Sequence, residues 1–212
     1  MEYQRKLPHF DHKGAIFFVT FRLHNSIPTQ IAKTLKLQRS SQIAAIKSSD
    51  VKDKQQQIYN VERGYFLQFE SLLDHPTYGE RYLSEPACAE TIENVLNEYA
   101  NKYYKLGAYC IMPNHVHLLI DTSLQLDTNN SEESKYQYLH DIMRRIKSKT
   151  AVLLNRQRKN TEKVWQEESY DRYIRNFQHY MYVENYIIQN PIKAGLGTTE
   201  KPYPYVYVNN IW

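Results

Sequence analysis

Blocks of apolar residues alternate along the chain with segments of helical spacing. Three blocks, at residues 15–23, 104–112 and 115–121, are rich in aromatic, branched or other apolar side chains and predict β-strands. Residues 112–114 (Met-Pro-Asn) favour a turn, so the second and third strands are predicted to form a hairpin. Residues 85–103 have the apolar spacing of a helix. The pattern therefore predicts an α+β fold in which helices pack on one side of a sheet.

A second helical pattern covers residues 177–196, with Asn176 placed to cap its first turn. Advancing by the helical turn angle puts six residues on one apolar stripe, namely Phe177, Tyr180, Met181, Val183, Ile187 and Ile188. Tyr186 and Asn190 fall outside this stripe, on the opposite side, and their spacing of four makes them neighbours on one face. Asn190 also precedes Pro191, where helices tend to end, so a purely structural role is the alternative for this residue.

Positive charge is concentrated in residues 135–159. This segment holds eight basic residues and one acidic residue, an excess of seven, so a chain of net charge +4 is net negative by three elsewhere. The basic residues are Lys135, Arg144, Arg145, Lys147, Lys149, Arg156, Arg158 and Lys159. An apolar stripe of helical spacing accompanies them, made of Leu139, Ile142, Met143, Ile146 and Leu153. A helix with one buried and one cationic face suits a phosphate backbone, and a solvated surface is the alternative.

Composition sets outer bounds on the class of protein. A chain of 212 residues with 42% hydrophobic residues can bury a core as one domain spanning residues 1–212. The two cysteines, Cys88 and Cys110, have no metal-site spacing and no secretory signal accompanies them, so we expect reduced thiols in a cytoplasmic protein. No apolar run is long enough to cross a bilayer, and no Gly-x-x-x-x-Gly-Lys-Ser/Thr loop indicates nucleotide binding.

The third predicted strand carries the most informative chemistry, because His115 and His117 flank Val116 within it. Alternate residues of a strand face the same side, so both imidazoles share one face. Imidazole is a common ligand of divalent transition metals, and a strand holds the pair at a fixed separation. The pair therefore predicts a metal site, with two hydrogen-bonded sheet histidines as the alternative.

The phenol of Tyr186 and the amide oxygen of Asn190 can approach the same ion. An ordinary phenol, with a pKa of about 10, is a weak nucleophile at neutral pH. A metal ion beside it would polarise a phosphodiester and orient the phosphorus for in-line attack. The product would be a phosphotyrosine and a free hydroxyl on the departing strand. Because one ester replaces another, the step can be reversed to join strands without an external energy source.

Two motifs in this order, MPNHVHLLI and YIIQNPIKAGL, resemble the single-tyrosine HUH transposases of bacterial insertion sequences, in particular the REP-associated tyrosine transposases. The similarity extends to the opening segment LPHFDHKGAIFFVTFRL and to VWQEESYDRYIRN before the last helix. The resemblance implies a compact α+β domain with an antiparallel sheet, the ferredoxin-like fold of HUH endonucleases. It also implies an enzyme that cuts and rejoins single-stranded DNA near palindromes that fold into hairpins.

The resemblance further implies roles for individual residues. His115 and His117 would bind a divalent metal ion, Mg²⁺ or Mn²⁺. The resemblance favours Mg²⁺, whereas two nitrogen ligands favour Mn²⁺ or Zn²⁺ in affinity. Tyr186 of the Tyr-Ile-x-x-Asn-Pro motif would be the nucleophile, and Asn190 would be the third metal ligand. From their charge alone, we expect phosphate contacts from two sets of basic residues, Arg172 and Arg175 in YDRYIRN, and Arg144, Arg145, Lys147 and Lys149 in the basic helix.

Residues 25–80 depart from compact members of that family. Two polar segments, 29–49 and 52–74, predict a helical insertion that either grips a DNA hairpin or a second subunit, or is a solvated elaboration. The sequence therefore does not decide whether the protein forms a homodimer, or whether the tyrosine helix serves the site of a partner subunit. Two other functions also stay open: a related HUH nickase of replication or plasmid transfer, and a non-catalytic DNA-binding regulator on the same scaffold.

Overall fold

A five-stranded antiparallel sheet organises the protein in a computed structural model that describes residues 12–75, 78–126 and 136–212. The strands are β1 (Ile16–Arg22), β2 (Lys105–Ile111), β3 (His115–Asp121), β4 (Tyr170–Tyr173) and β5 (Val206–Val208). Their order across the sheet is β4-β1-β3-β2-β5, so β3 lies in the centre. The predicted antiparallel α+β fold and the three predicted strands are confirmed.

Five α-helices accompany the sheet in these described ranges. They are α1 (Thr29–Ser48), α2 (Lys54–Asp74), α3 (Pro86–Tyr99), α4 (Leu139–Arg158) and α5 (Phe177–Lys193). Pro86 begins α3, where its missing N–H costs no helical hydrogen bond. Asn176 caps α5 as predicted, since its side-chain oxygen accepts a hydrogen bond from the His179 N–H at 2.9 Å. None of the helices in the described part of the chain is long and apolar enough to cross a membrane.

Helices cover both faces of the sheet, so the prediction of a single covered side was wrong. Alternate residues of β1 separate the two layers, with Phe17, Val19 and Phe21 on one face and Phe18 on the other. The first face packs against α3 and α4. The second packs against α5 and the C-terminal part of α2. A run of consecutive apolar residues in a strand indicates burial on both faces, and the first four residues of β1 (Ile-Phe-Phe-Val) form such a run.

The buried face of α5 differs from the predicted stripe. Phe177 and Met181 are 49% and 46% exposed, whereas Asn190 is 4% exposed and lies on the face that packs against the sheet. The helix also continues through Pro191 to Lys193 instead of ending before the proline. Asn190 therefore points toward the protein interior, not away from it. In α4, by contrast, only the last member of the stripe shifts, since Leu154 is fully buried instead of Leu153.

The predicted insertion forms a pair of contacting helices, α1 and α2. No residue of α1 is buried, and an ion pair between Arg39 and Glu62 joins the two helices. The buried residues of α2 all lie in its C-terminal half, namely Phe66, Glu70 and Leu73. One end of α2 is therefore part of the core on the α5 face. Strands β4 and β5 were not predicted, because they have only four and three residues and both lie at sheet edges. Lys135 and the N-terminal residues 1–11 lie outside the described residues.

Candidate metal and tyrosine site

The two histidines of β3 lie side by side on the face covered by α5. Both are fully buried, and their Nε2 atoms are 3.0 Å apart. Across the sheet, β1 pairs Thr20 with His117 and Arg22 with His115. The alternation of β3 thus places both imidazoles on one face, as the sequence predicted, and both present the same ring nitrogen to a common point.

Neighbouring side chains fix how the imidazoles are oriented. The Asn114 Nδ2 donates to the Leu73 carbonyl at 2.8 Å, so the Asn114 Oδ1 must face the other way, toward His115. That oxygen can only accept, and it lies 2.8 Å from His115 Nδ1. His115 therefore carries its proton on Nδ1 and presents an Nε2 lone pair. His117 Nδ1 lies 2.9 Å from the Thr20 hydroxyl, a second contact of the kind that orients metal-binding imidazoles.

Electrostatics keep His115 in its neutral form. Burial lowers the pKa of His115 well below its ordinary value, and the nearby His117 and Arg81 act in the same direction. A neutral imidazole is the form that binds a metal ion. The site is therefore ready for a cation at neutral pH without first losing a proton from His115.

Glu70 of α2 completes a group of three buried ligand atoms that the sequence did not predict. Its Oε2 atom is 3.2 Å from His117 Nε2 and 4.0 Å from His115 Nε2. The side chain is buried, and Oε1 has no hydrogen-bond partner among the described residues. One signal could have identified it: Glu70 lies four residues after Phe66 and three before Leu73, so an acid interrupts an otherwise apolar helical face.

The three residues fit a divalent metal ion. A buried carboxylate oxygen without a partner is costly unless a cation or a donor meets it. Two imidazole nitrogens and a carboxylate are ligands that first-row divalent ions accept. Asp74, at the end of α2, adds negative potential nearby, and burial together with Glu70 raises its pKa. A buried Glu-His-His group that can hold a metal ion is thus present, and its third member comes from the helical insertion.

Tyr186 of α5 lies against this group, in the same chain. Its hydroxyl donates to Glu70 Oε2 at 2.6 Å and accepts from Asn190 Nδ2 at 3.1 Å. Its ring packs edge-on against Phe18 and 5.4 Å, centroid to centroid, from His117. Burial raises the pKa of Tyr186 above its ordinary value, and the charge of Glu70 raises it further. The phenol is therefore protonated and held at the carboxylate, and no second subunit is needed to bring it to the imidazoles.

Asn190 contacts the phenol as its spacing from Tyr186 predicts. Its Oδ1 atom is buried and has no hydrogen-bond partner among the described residues. This unpartnered oxygen is compatible with a role as metal ligand, which stays a prediction.

The predicted DNA-binding residues fall on opposite sides of the sheet. Arg172 of β4 lies opposite Phe18 in the sheet register, on the face of the histidines, and Arg175 follows it. The four cations of α4 belong to the helix that packs on the other face. Several of these are engaged in contacts that stabilise the fold: Lys147 donates to the carbonyls of Gln166 and Glu167, Arg144 pairs with Asp141, and Lys149 pairs with Glu98.

Fold and site together define an α+β protein in which a carboxylate, two imidazoles and a phenol meet on one face of an antiparallel sheet. A family model described as "Transposase IS200 like" matches residues 74–190, which is more than half of the chain and includes both histidines, Tyr186 and Asn190. The chain therefore belongs to the family of IS200-like transposases.

Two individual proteins are also similar to the chain. A Haemophilus influenzae protein described as a REP-associated tyrosine transposase is 26% identical over 125 residues, which cover 54% of this chain and 69% of that protein. A solved structure of a REP-associated tyrosine transposase bound to a REP hairpin is 16% identical, with a TM-score of 0.43, over 92% of this chain and 75% of that one. A DNA-processing role as a transposase is supported by the family, and the resemblance seen in the sequence is confirmed.

Proposed function

We propose that the protein is a metal-dependent single-stranded DNA endonuclease and strand transferase that uses Tyr186 as its nucleophile. The observation that supports this most directly is the contact between the Tyr186 hydroxyl and Glu70, since the same carboxylate oxygen lies 3.2 Å from His117. A nucleophile, a proton acceptor and a set of metal ligands thus meet within hydrogen-bonding distance.

The chain's own residues supply most of the cleavage step. The phenolic oxygen of Tyr186 attacks the phosphorus of a DNA phosphodiester, and its proton passes to Glu70, the acceptor at 2.6 Å. The bond between phosphorus and the 3′ oxygen breaks, a proton from solvent completes the 3′ hydroxyl, and the 5′ phosphate stays on the tyrosine. Asn190, which donates to the phenolic oxygen, holds the remaining lone pair in a fixed direction. Attack by a 3′ hydroxyl on the phosphotyrosine reverses the step and joins strands.

His115, His117 and Glu70 would hold the divalent ion, with the Asn190 oxygen as a further ligand. Mg²⁺ or Mn²⁺ bound there would polarise the scissile phosphate and offset the charge that develops on it. The buried surroundings exclude water, so this charge stabilisation acts in a medium of low dielectric constant.

Hairpin-forming palindromic DNA is the substrate that we propose, with the scissile linkage in a single-stranded part next to the hairpin. Membership in the transposase family and similarity to a protein described as REP-associated support this choice. Arg172 lies on the face of the histidines, and Arg175 contacts the same Tyr59 ring as Arg172, so these two are the predicted phosphate contacts on this side of the protein. The exposed cations of α4, Arg144 and Arg145, stay predictions for contacts with more distant parts of the DNA.

A covalent-adduct assay tests the proposal. Wild-type protein is incubated with labelled hairpin DNA and Mn²⁺ or Mg²⁺ and then denatured, and the label should migrate with the protein. The Tyr186→Phe variant should form no adduct, whereas Tyr182→Phe should form it normally, because Tyr182 lies one helical turn earlier and is 55% exposed. An adduct that persists in Tyr186→Phe would mean that another tyrosine is the nucleophile.

The same assay separates the other candidate functions. DNA binding without any adduct, across metals and hairpin sequences, would indicate a non-catalytic regulator. An adduct that never transfers to a second strand bearing a free 3′ hydroxyl would indicate a nickase of replication or transfer, which shares the covalent step.

A further inference from the structure

A large groove lies beside the metal and tyrosine site. It has a volume of about 960 Å³ and runs between the helices α1 and α2 on one side and the edge of the sheet formed by β1 and β4 on the other. Thr20 lines the groove and also contacts His117 through its hydroxyl. Thr20 therefore lies between the groove and the histidine pair, and the histidines themselves do not line the groove. Its α1–α2 wall lies outside the part of the chain that matches the transposase family model.

Arg22 at the floor of this groove is a buried cation without a carboxylate partner. It is 7% exposed, and its Nη1 donates to the Ser26 hydroxyl at 3.0 Å and more weakly to the Leu23 carbonyl at 3.5 Å. Within the described ranges, no carboxylate lies within ion-pair distance of its guanidinium. Burial lowers the pKa of Arg22 to about 10, so the group stays positively charged at neutral pH. A buried guanidinium is costly unless an anion pairs with it, and phosphate is one of the anions that match its planar donors.

The carboxylates of the groove do not form an ion pair with Arg22 among the described residues, although the charge of Glu168 raises its pKa from a longer distance. Glu168 lines the groove but pairs with Lys36, and Glu62 pairs with Arg39. Over the whole lining, six Lys and Arg side chains face four Asp and Glu side chains. The groove thus keeps a positive excess, and Arg22, its most buried cation, has no carboxylate within ion-pair distance among the described residues.

Aromatic rings along the wall suit unpaired bases. Tyr59 of α2 lies beneath two guanidinium groups, with Arg172 and Arg175 at 5.1 and 5.3 Å from its ring centroid. Tyr65 and Tyr170 line the groove farther toward Thr20 and Arg22. Aromatic rings that alternate with cations are the means by which proteins hold single-stranded nucleic acid, since every base has a face that can stack.

We infer that this groove binds an unpaired segment of the DNA strand that continues from the scissile linkage, with Arg22 on a phosphate next to the cleaved one and Tyr59 against a base. The inference rests on the proposed function, because it names the path of the strand that Tyr186 would attack. The register of β1 supports the position of the phosphate: Arg22 is the sheet partner of His115. The helical insertion would then serve substrate binding as well as the metal site.

The test measures binding of a short fluorescent oligothymidine, which forms no hairpin, by anisotropy in the absence of divalent metal. Arg22→Met keeps the length of the side chain and removes its charge, and we expect at least about tenfold weaker binding, the size of one lost charge-assisted contact. The slope of log K against log salt should also fall by about 0.7, the value for one phosphate contact to a single strand. Arg63→Ala is the matched control, since Arg63 is an exposed residue of α2 outside the groove, and it should bind as wild type.

A second measurement keeps the inference testable if Arg22→Met does not fold. Oligonucleotides carrying 5-iododeoxyuridine are cross-linked by light to the wild-type protein, and mass spectrometry locates the attached residues. Cross-links to Tyr59, Tyr65 or Tyr170 support the groove. Cross-links confined to α4, together with normal binding by Arg172→Ala, would overturn it. The covalent-adduct assay tests the proposed function independently of the groove. A normal adduct yield without cross-links in the groove would refute only DNA binding in the groove. Cross-links in the groove without any adduct would refute only the role of Tyr186 as nucleophile.

Discussion

Glu70 offers the sharpest test of the metal site, because the sequence pattern of the two histidines does not include it. The change is Glu70→Gln, which keeps the shape of the side chain and removes its charge. In the wild type the carboxylate is buried, meets both imidazoles, and has one oxygen without a hydrogen-bond partner in the described structure. A metal ion that binds this group stabilises the folded state by mass action, so thermal unfolding reports the binding directly.

The magnitude follows from that linkage. At a metal concentration of 100 times the dissociation constant, wild-type protein should gain about 2.7 kcal/mol. For a chain of this length, 1 kcal/mol shifts the melting temperature by roughly 2–4 °C, so the total shift should be roughly 5–11 °C. Removal of a residue that only hydrogen-bonds to a metal ligand typically weakens metal binding roughly 10- to 100-fold, and loss of the Glu70 carboxylate should weaken it by at least this factor. At the same metal concentration the variant should then gain only about 0.4–1.4 kcal/mol.

The assay is thermal unfolding of chelator-treated protein titrated with MnCl₂, repeated with MgCl₂. Glu90→Gln is the control, since Glu90 is exposed on α3, on the other face of the sheet, and it should keep the wild-type shift. Without metal, Glu70→Gln should melt no lower than the wild type, because the buried charge is costly when no cation meets it. A full metal-induced shift in Glu70→Gln would refute the assignment of Glu70 as a ligand.

Two further predictions concern groups that contact the site. Asn114→Ala should lower the free energy of unfolding by about 1–3 kcal/mol, because it leaves the Leu73 carbonyl and His115 Nδ1 without their partner, and calorimetry should show weaker Mn²⁺ binding as well. The raised pKa of Tyr186 predicts alkaline destabilisation. Above a pH of about 10 the phenol ionises in the unfolded chain but not in the folded one, so stability should fall as pH rises through this range. Tyr186→Phe should flatten that decline in urea unfolding curves, and an unchanged slope would contradict the assignment.

Local periodicity was sufficient to predict the core of the site. His115 and His117 are two residues apart on one strand, and Tyr186 and Asn190 are four apart on one helix, so each pair could be placed on a face before any tertiary structure was known. The contact between these two pairs on one face of the sheet could be predicted only with the order of the elements and the resemblance to a known family. The predicted orientation of α5 was less accurate, because Phe177 and Met181 of the predicted stripe are exposed whereas Asn190, placed outside it, is buried.

Residues whose role depends on contacts between distant segments were not predicted. Glu70 precedes His115 by 45 positions, so no local pattern connects them. Nothing in the local sequence distinguishes Arg22 from other basic residues of a strand, and only the sheet register shows that it lies beside His115. The two edge strands were missed for a related reason, since their pairing with β1 and β2 compensates for their short length. In each case tertiary packing decides a feature that local sequence leaves open.

The cost of the buried polar group explains why the helical insertion is packed into the core at one end only. Neutral imidazoles and a carboxylate on a sheet face bring little hydrophobic stabilisation, and without a cation they destabilise the fold. Phe66 and Leu73 of α2, which lie on either side of Glu70, are buried and anchor that helix where the carboxylate must sit. The other half of α2 and all of α1 have no buried residue and are free to form the wall of the groove. In the proposed function, one helix thus has two roles: its apolar end would hold a metal ligand in the core, and its polar end would provide aromatic and charged side chains to a strand of DNA.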